Sequence, residues 1–395
     1  MNEFADVERT VFRDKSILHE DHQPDEILER DDEIDAFRAA LKDVLFGDDP
    51  NNVFVYGKAG LGKTVVTNYM MEELSAAAAD RPEAEELAVL RHNCNGDGVY
   101  ATVRSLINEL RSPDDDTYPK TGMSTSHALE TLYEEMDAFG GTVLCVLDEI
   151  DHLSDVDTLL YELPRARANG HLDDARVGVV GISNDYSFRN DLSPKVKSTL
   201  MEKEISFPAY DAGELQTILQ ARADRGLVTD AYDKGVINLC AAHAAKDAGS
   251  ARQAIDLLRE AGDLAESERA DAVGQEHVEA AKDRVKRGRI EDKIREQTDH
   301  AQFVLEAIAR LERHGEAPAR SKHIRVAYMD LVEDSNIDPL TTLKSIQNHL
   351  ADLEMLGFLT AHQHNDGRAG GSYHEYELDM DADAVIEVRE DIREE

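Results

Sequence analysis

The sequence has no tryptophan, three cysteines and only 6% aromatic residues among its 395 positions. Cys94, Cys145 and Cys240 are odd in number, far apart and never form a C-x-x-C pair. These features argue against a disulfide framework or a zinc knuckle and favour a reducing compartment. No apolar run approaches the ~20 residues of a membrane span. Because the first residues lack the basic and apolar regions of a signal peptide, we expect a cytoplasmic protein with no membrane partner.

Basic residues are also scarce, since 43 Lys and Arg stand against 82 Asp and Glu, for a formal net charge of −39. The excess is spread along the whole chain, whereas an acidic binder of basic partners would concentrate its charge. Even spreading together with abundant Ala, Asp and Glu is typical of a halophilic protein, in which high salt screens self-repulsion. Net charge therefore cannot argue for or against nucleic-acid binding in this chain.

The most informative stretch is an apolar run at 53–56 that leads directly into G-x-x-x-x-G-K-T at 57–64 and a predicted helix at 65–74. Strand, glycine loop and helix in this order are the context that a phosphate-binding loop requires. The loop N–H groups can surround a phosphate at a helix N-terminus. Lys63 would reach the β- and γ-phosphates, and Thr64 would hold Mg²⁺. The predicted nucleotide contacts in this loop are Gly57, Lys58, Ala59, Gly60, Leu61, Gly62, Lys63, Thr64 and Val65.

Two further strand ends carry polar side chains. The apolar run 142–147 is followed by Asp148 and Glu149. Asp148 would orient Mg²⁺, directly or through water, and Glu149 would polarise an attacking water. A second buried strand is predicted at 176–182, and Asn184 just beyond it could bind the γ-phosphate or that water. The predicted catalytic residues are Lys63, Asp148, Glu149 and Asn184.

The arrangement of elements predicts several domains, as expected at this length. Strands alternate with helices up to about residue 209, which favours a parallel α/β sheet. Residues 211–285 have helical periodicity without a strand. In that region Arg252 falls in the first turn of a helix, where the dipole disfavours positive charge, so we predict that it faces an anion.

The C-terminal part reads as a winged helix-turn-helix. Helices are predicted at 302–313, 321–335 and 339–356, followed by strands at 357–362 and 372–378. In such a fold the third helix reads the major groove and the hairpin loop reaches the adjacent backbone or minor groove. A winged helix used only for protein contact is the alternative. The candidate DNA contacts are Thr341, Thr342, Lys344, Ser345, Asn348 and Arg368.

The order of these features resembles the archaeal origin-recognition/cell-division-control initiators, which are AAA+ ATPases of DNA replication. The resemblance covers about residues 12–378. It implies a parallel-sheet P-loop base with a helical lid, followed by a winged-helix domain, and ATP/ADP and Mg²⁺ as cofactors. The implied partners are double-stranded origin DNA, the replicative minichromosome-maintenance helicase and other initiator paralogues. The predicted boundaries are 1–23 for an N-terminal arm, 24–209 for the base, 210–285 for the lid, 286–298 for a linker and 299–395 for the winged helix.

The resemblance also assigns individual residues. The segments around 12–18 and 24–30 are similar to the family's adenine-wrapping N-terminus. Tyr210 and Arg222 are implied lid-side nucleotide contacts, while Asn184 and Arg252 match the first and second sensors. Residues 118–124 fall where these initiators carry a helical insertion that touches DNA. The implied DNA contacts in that excursion are Lys120, Thr121 and Gly122.

One position departs from the pattern. Lys195 stands where family members often have an arginine, and a lysine is a poorer trans-acting finger because it lacks the planar fork. Hydrolysis in an oligomer would then be weak. The phosphate motifs are shared by very many ATPases, so a clamp-loader-type ATPase and a winged-helix transcriptional regulator remain alternatives. A paralogue without an origin of its own is also open.

Overall fold

The structure is a computed structural model that describes residues 10–81, 85–112, 116–200, 203–333, 335, 337–365 and 372–394. It divides into two compact units, Met1–Val278 and Glu279–Glu395. Within the described ranges, no helix combines the length and apolar character needed to cross a bilayer.

The first unit is built on a parallel sheet with strand order β2-β3-β4-β1-β5 among the described residues. The bounds are β1 Val53–Tyr56, β2 Leu87–Asn93, β3 Thr142–Asp148, β4 Arg176–Ser183 and β5 Lys203–Ser206. The three central strands are continuous apolar runs because helices cover both faces of the sheet. Tyr56 pairs with Ser183, and Leu147 pairs with Gly181. This register places the carboxyl ends of β1, β3 and β4 side by side, where ligands bind in such sheets.

Helices flank this sheet and continue beyond it. The bounds are α1 Asp31–Leu41, α2 Lys63–Ala79, α3 Val99–Leu110, α4 Thr125–Phe139, α5 Val156–Glu162, α6 Phe188–Asp191, α7 Pro194–Leu200, α8 Ala212–Gly226, α9 Lys234–Asp247, α10 Ala251–Ser267 and α11 Gln275–Arg295. No strand is found from 211 to 285, as the periodicity predicts. A capping box at Asp211 and Glu214 fixes the start of α8.

The excursion between α3 and α4 differs from the expectation. Its described residues, 116–124, contain no helix, so the helical insertion implied there is wrong for this part of the chain. Pro119 and Gly122, which has a φ of 96°, are incompatible with a regular helix. Buried Tyr118 anchors the segment, and the Tyr100 hydroxyl donates a hydrogen bond to the Pro119 carbonyl at 2.8 Å.

The N-terminal segment packs against the first unit. Val11 and Leu18 are fully buried. The backbone N–H groups of Arg13 and Asp14 donate to the Gly226 carbonyl at 2.9 and 3.0 Å, which ties the segment to the end of α8. The N-terminal segment therefore packs as part of the lid.

The second unit combines helices with a small antiparallel sheet of order β6-β8-β7. The bounds are α12 Asp299–Arg313, β6 Ala319–Arg320, α13 Ser321–Glu333, α14 Leu343–Met355, β7 Leu359–Asn365, β8 Ser372–Leu378 and α15 Ala382–Glu394. The sequence reading did not predict β6 or α15. The predicted third helix, 339–356, starts too early, because Thr342 is the N-cap of α14 and its hydroxyl accepts the Ser345 N–H at 3.0 Å.

The C-terminal helix α15 is held to α12 by a buried charge cluster. Glu306 is fully buried and contacts Arg310 at 2.8 Å and Arg393 at 2.6 Å, with Arg389 at 3.5 Å. Of these arginines, Arg389 is only 3% exposed. A carboxylate shared by three guanidinium groups compensates charges that would otherwise be buried alone.

We predict that Glu306→Ala destabilises the second unit by about 3–5 kcal/mol, because it leaves Arg389 buried without its counter-charge. Denaturant unfolding of the full chain in concentrated KCl measures the change. The control is Glu291→Ala, which removes a half-exposed i,i+4 pair with Arg295 and should cost under about 0.5 kcal/mol. Equal effects of the two variants would contradict the assignment.

Candidate functional site

The glycine loop lies between β1 and α2 at the carboxyl edge of the sheet. Gly60 and Gly62 have φ angles of 78° and 86°, which residues with a β-carbon rarely adopt. A β-carbon at Gly60 would also lie 2.1 Å from the Ser250 hydroxyl. Glycine at these positions lets the loop turn into α2 at Lys63 while it packs closely against the lid.

Lys63 is buried inside this loop. Its amine donates to the carbonyls of Gly57 and Lys58 at 2.7 and 2.9 Å and to Oδ1 of Asn184 at 2.7 Å. Burial lowers the pKa of Lys63 to about 8, although the neighbouring Asp148 and Asp151 act in the opposite direction. The predicted lysine and the predicted polar residue beyond β4 are therefore in direct contact.

The carboxylates at the end of β3 complete the edge. The Thr64 hydroxyl donates to Oδ2 of Asp148 at 2.7 Å, so two oxygen atoms suited to Mg²⁺ are adjacent. Glu149 has a φ of 52°, in the left-handed region that non-glycine residues rarely occupy. Asp151 accepts the backbone N–H of Asn184 at 3.3 Å. The tips of β3 and β4 are thus tied together by a carboxylate that sequence reasoning left without a role.

The lid contacts the loop at the start of α10. Ser250 is the N-cap of this helix, and the next N–H, from Ala251, donates to the Gly60 carbonyl at 3.0 Å. Arg252 lies in the first turn as predicted, and its Nε is 3.2 Å from a carboxylate oxygen of Glu20. The anion that faces Arg252 in this structure is therefore a side chain of the N-terminal segment.

Arg222 and Tyr210 also lie at the boundary between the lid and the loop. The Arg222 guanidinium donates to the carbonyls of Ile17 and His22 at 2.9 and 3.3 Å, so it fixes the N-terminal segment. Tyr210 is buried, and its hydroxyl is 3.1 Å from the position of a β-carbon at Gly62. Both predicted residues therefore reach the region where a nucleotide is expected.

Arg30 links these parts, although the sequence reading gave it no separate role. It is 3% exposed, and its guanidinium donates to the carbonyls of Leu61 at 3.1 Å and Pro208 at 2.9 Å. It also pairs with Glu33 at 3.1 Å and lies 3.6 Å from the centre of the Tyr210 ring. The sequence alone could not single out Arg30, because an arginine near an acidic residue at the start of a helix is a common pattern.

These elements enclose a cavity of about 400 Å³. Many of the residues predicted from sequence line it, namely Ala59, Gly60, Gly62, Lys63, Thr64, Val65, Asp148, Glu149, Asn184, Tyr210, Arg222 and Arg252. Gly57, Lys58 and Leu61 lie outside this lining and contribute backbone carbonyls that hold Lys63 and Arg30. Glu20 and His22 also line the cavity but were not predicted individually.

None of the described candidate DNA contacts lines this cavity. In the first unit, Lys120, Thr121 and Gly122 are exposed in the turn before α4. In the second unit, the positions at the start of α14 are exposed except for half-buried Ser345; these positions are Thr341, Thr342, Lys344, Ser345 and Asn348. Arg368 lies outside the described residues.

Family models match most of the chain. Residues 47–183 match an AAA domain, residues 216–283 match the Cdc6 AAA+ ATPase-type lid domain, and residues 292–388 match the CDC6 C-terminal winged helix domain. These matches and the observed sheet confirm the predicted fold class.

Whole-chain comparisons agree with the family models. The chain is 50% identical over 378 residues to ORC1-type DNA replication protein 8 of Halobacterium salinarum, covering 95% of each chain. It is 45% identical to ORC1-type DNA replication protein 11 of Haloarcula marismortui, covering 95% of this chain and 90% of that protein. It is similar to the Aeropyrum pernix ORC1 protein, solved in complex with DNA, with a TM-score of 0.84, 32% identity and 98% coverage of both chains.

We predict that Arg30→Met destabilises the first unit by about 3–5 kcal/mol, because Glu33 is left buried and unpaired. Arg38→Met is the matched control, since Arg38 forms an exposed i,i+3 pair with Asp35 in the same helix. The control should stay within about 0.5 kcal/mol of the parent protein. Denaturant unfolding measures both variants, and an Arg30 effect no larger than that of the control would refute the role.

Proposed function

Because the chain belongs to the family of ORC1-type DNA replication proteins, we propose that it is an ATP-regulated initiator that binds double-stranded origin DNA and helps load the replicative minichromosome-maintenance helicase. One observation carries the nucleotide part of the proposal. Lys63, Asp148, Asn184 and Arg252, which are far apart in sequence, line a single cavity between the sheet edge and the lid.

The nucleotide chemistry follows from the contacts in this cavity. With a triphosphate bound, Lys63 would exchange the Gly57 and Lys58 carbonyls for phosphate oxygens, and the loop N–H groups would hold the β-phosphate. The adjacent oxygens of Thr64 and Asp148 fit one Mg²⁺, which neutralises phosphate charge when bound. Arg252 exchanges Glu20 for the terminal phosphate, so that ATP and ADP bias the lid differently.

Hydrolysis is assigned to the residues beyond β3 and β4. Glu149 orients the attacking water and Asn184 contacts the γ-phosphate or that water. The Lys195 amine lies 3.3 Å from the centre of the Tyr161 ring. A lysine there offers a partner's nucleotide one compact charge instead of a planar fork, which favours slow turnover.

DNA binding is assigned to the two exposed surfaces described above. In the second unit, α14 enters the major groove with Lys344 and Asn348 on its exposed side, and Thr342 caps the helix. In the first unit, Lys120 and its neighbours contact the backbone. The predicted division into base, lid, linker and winged helix then separates nucleotide sensing from groove reading, and initiator paralogues are candidate partners on DNA.

A genome-wide footprint of the tagged protein, repeated with Lys63→Ala, tests this function. We expect a few sharp peaks at replication origins, and a change in those peaks when the phosphate-binding lysine is lost. Dispersed promoter peaks would identify a transcriptional regulator instead. Origin peaks that are unchanged in the variant would remove ATP control from the proposal.

The depressed pKa of Lys63 predicts a pH dependence of nucleotide affinity. Phosphate binds the protonated amine, so affinity should be full below about pH 8 and fall above it by up to about tenfold per unit. The charge of the triphosphate itself does not change above about pH 8, because phosphate monoesters lose their last proton at about pH 6. Lys42→Ala, at an exposed position outside the loop and the cavity lining, should keep the parent profile. A flat profile from about pH 7 to pH 9.5 would contradict the prediction.

The two DNA surfaces predict separable losses of binding. Lys344→Ala and Lys120→Ala should each weaken binding to an origin duplex by roughly tenfold in moderate salt. Each should also reduce the slope of log affinity against log salt concentration by about one. Lys246→Ala, on the lid helix α9, is the matched control and should leave affinity unchanged. Fluorescence anisotropy measures each variant, and a parent-like affinity removes that surface from the interface.

A further inference from the structure

Asp151 is a carboxylate at the edge of the sheet that none of the nucleotide motifs accounts for. Its side chain is 11% exposed, and its Oδ1 accepts the backbone N–H of Asn184 at 3.3 Å. The ladder between β3 and β4 ends at the pair of Leu147 with Gly181, whereas β4 continues to Ser183. The Asn184 N–H therefore lies beyond the last ladder pair, and the carboxylate takes the place of a strand as its acceptor.

The side chain of Asn184 faces the phosphate loop. Its Oδ1 accepts a hydrogen bond from the Lys63 amine at 2.7 Å. Asn184 is thus bound at two points, by the turn after β3 through its backbone and by the loop lysine through its amide. With the backbone fixed, only the side-chain torsions decide where the amide lies, and these are restricted to a few rotamers.

Asp151 is itself held in place. The His152 ring covers its outer side, with Nε2 3.6 Å from Oδ2 of Asp151 and Nδ1 3.3 Å from Oδ1 of Asn95. Both residues belong to the single turn of 3-10 helix Ile150–His152, in which the His152 N–H donates to the Glu149 carbonyl at 2.9 Å. The carboxylate is therefore fixed on the same turn that follows Glu149, and rigid support of this kind keeps a catalytic side chain in position.

Asp151 also acts on Lys63 through its charge. Burial lowers the pKa of Lys63 to about 8; the charged groups that act on this amine are Asp148, Asp151 and Glu149, which raise the pKa, and Arg252, which lowers it. This effect depends on the negative charge of Asp151. The hydrogen bond from Asn184 needs only an acceptor oxygen, so substitutions can separate the two effects.

We propose that Asp151 is a positioning residue for ATP hydrolysis, which holds the backbone of Asn184 so that the Asn184 amide points at the γ-phosphate and the attacking water. Asp151 does not line the cavity, so it acts through Asn184 and not on the nucleotide. Loss of the acceptor misplaces the amide and slows the chemical step, whereas the loop still binds the phosphates. This inference rests on the proposed function, because it requires ATP hydrolysis in this cavity.

The test is ATP turnover by the full chain at saturating ATP and pH 7, with Mg²⁺ in concentrated KCl. Asp151→Ala removes the acceptor, and we expect turnover to fall at least about tenfold with the KM for ATP within about threefold of the parent value. Asp151→Leu, which fills the space with an apolar side chain, should behave in the same way. Asp151→Asn keeps an oxygen that can accept the Asn184 N–H, so its turnover should stay within about threefold of the parent value.

The pH dependence of nucleotide affinity gives a second readout that a merely structural role would not move. All three Asp151 variants lack the charge that raises the pKa of Lys63, so affinity should begin to fall at a lower pH than in the parent protein. An unshifted profile in all three would contradict the placement of Asp151 beside the lysine.

Asp137→Ala is the matched control. The Asp137 carboxylate accepts backbone N–H groups just before β4, at the opposite end of that strand from Asn184; these belong to Asp173, Asp174 and Ala175, at 3.0–3.2 Å. This variant should lower the free energy of unfolding and leave ATP turnover within about twofold of the parent value.

The outcomes separate this inference from the proposed function. A parent protein without ATP turnover would overturn the hydrolysis assigned in the proposed function, and the role of Asp151 with it. Parent-like turnover in Asp151→Ala and Asp151→Leu would overturn only the role of Asp151. A loss in Asp151→Asn as large as in Asp151→Ala would also overturn it, because charge and not the hydrogen bond would then be responsible.

Discussion

The buried guanidinium of Arg30 joins the three parts of the chain that form the nucleotide cavity. It donates to the Leu61 carbonyl in the glycine loop and to the Pro208 carbonyl just before the lid, and it stacks on Tyr210. Since Arg30 itself precedes α1, the N-terminal segment is held in the same contact. Together with the hydrogen bond from the Ala251 N–H to the Gly60 carbonyl, this side chain therefore fixes the position of the loop relative to the lid.

In a chain with a formal net charge of −39, burial decides how strongly salt screens each ion pair. Salt screens exposed pairs such as Arg252 with Glu20, so a phosphate can displace that carboxylate at little cost. The pair of Arg30 with Glu33 is screened much less because water and ions do not reach it. For the proposed DNA binding, high salt would remove most of the counterion-release contribution to affinity, so groove contacts and DNA shape would carry more of the recognition.

The sequence predicted the parts of the site that local patterns define. The loop 57–64, Asp148 and Asn184 each follow an apolar strand, and parallel strands bring such positions to one edge. Arg30 and Asp151 could not be found in this way, because their roles depend on which distant backbone groups they meet. The C-terminal helix α15 was missed for the same reason, since its charged residues pair with distant partners, such as Arg389 and Arg393 with buried Glu306.

A crystal structure of the full chain with a non-hydrolysable ATP analogue and Mg²⁺ in concentrated KCl tests the central claim most directly. The account predicts a triphosphate along the loop 57–64, with Lys63 released from the Gly57 and Lys58 carbonyls and Arg252 released from Glu20. Arg30 should keep its contacts with Leu61 and Pro208. A nucleotide bound elsewhere, or a loop that moves away from Arg30 on binding, would contradict it.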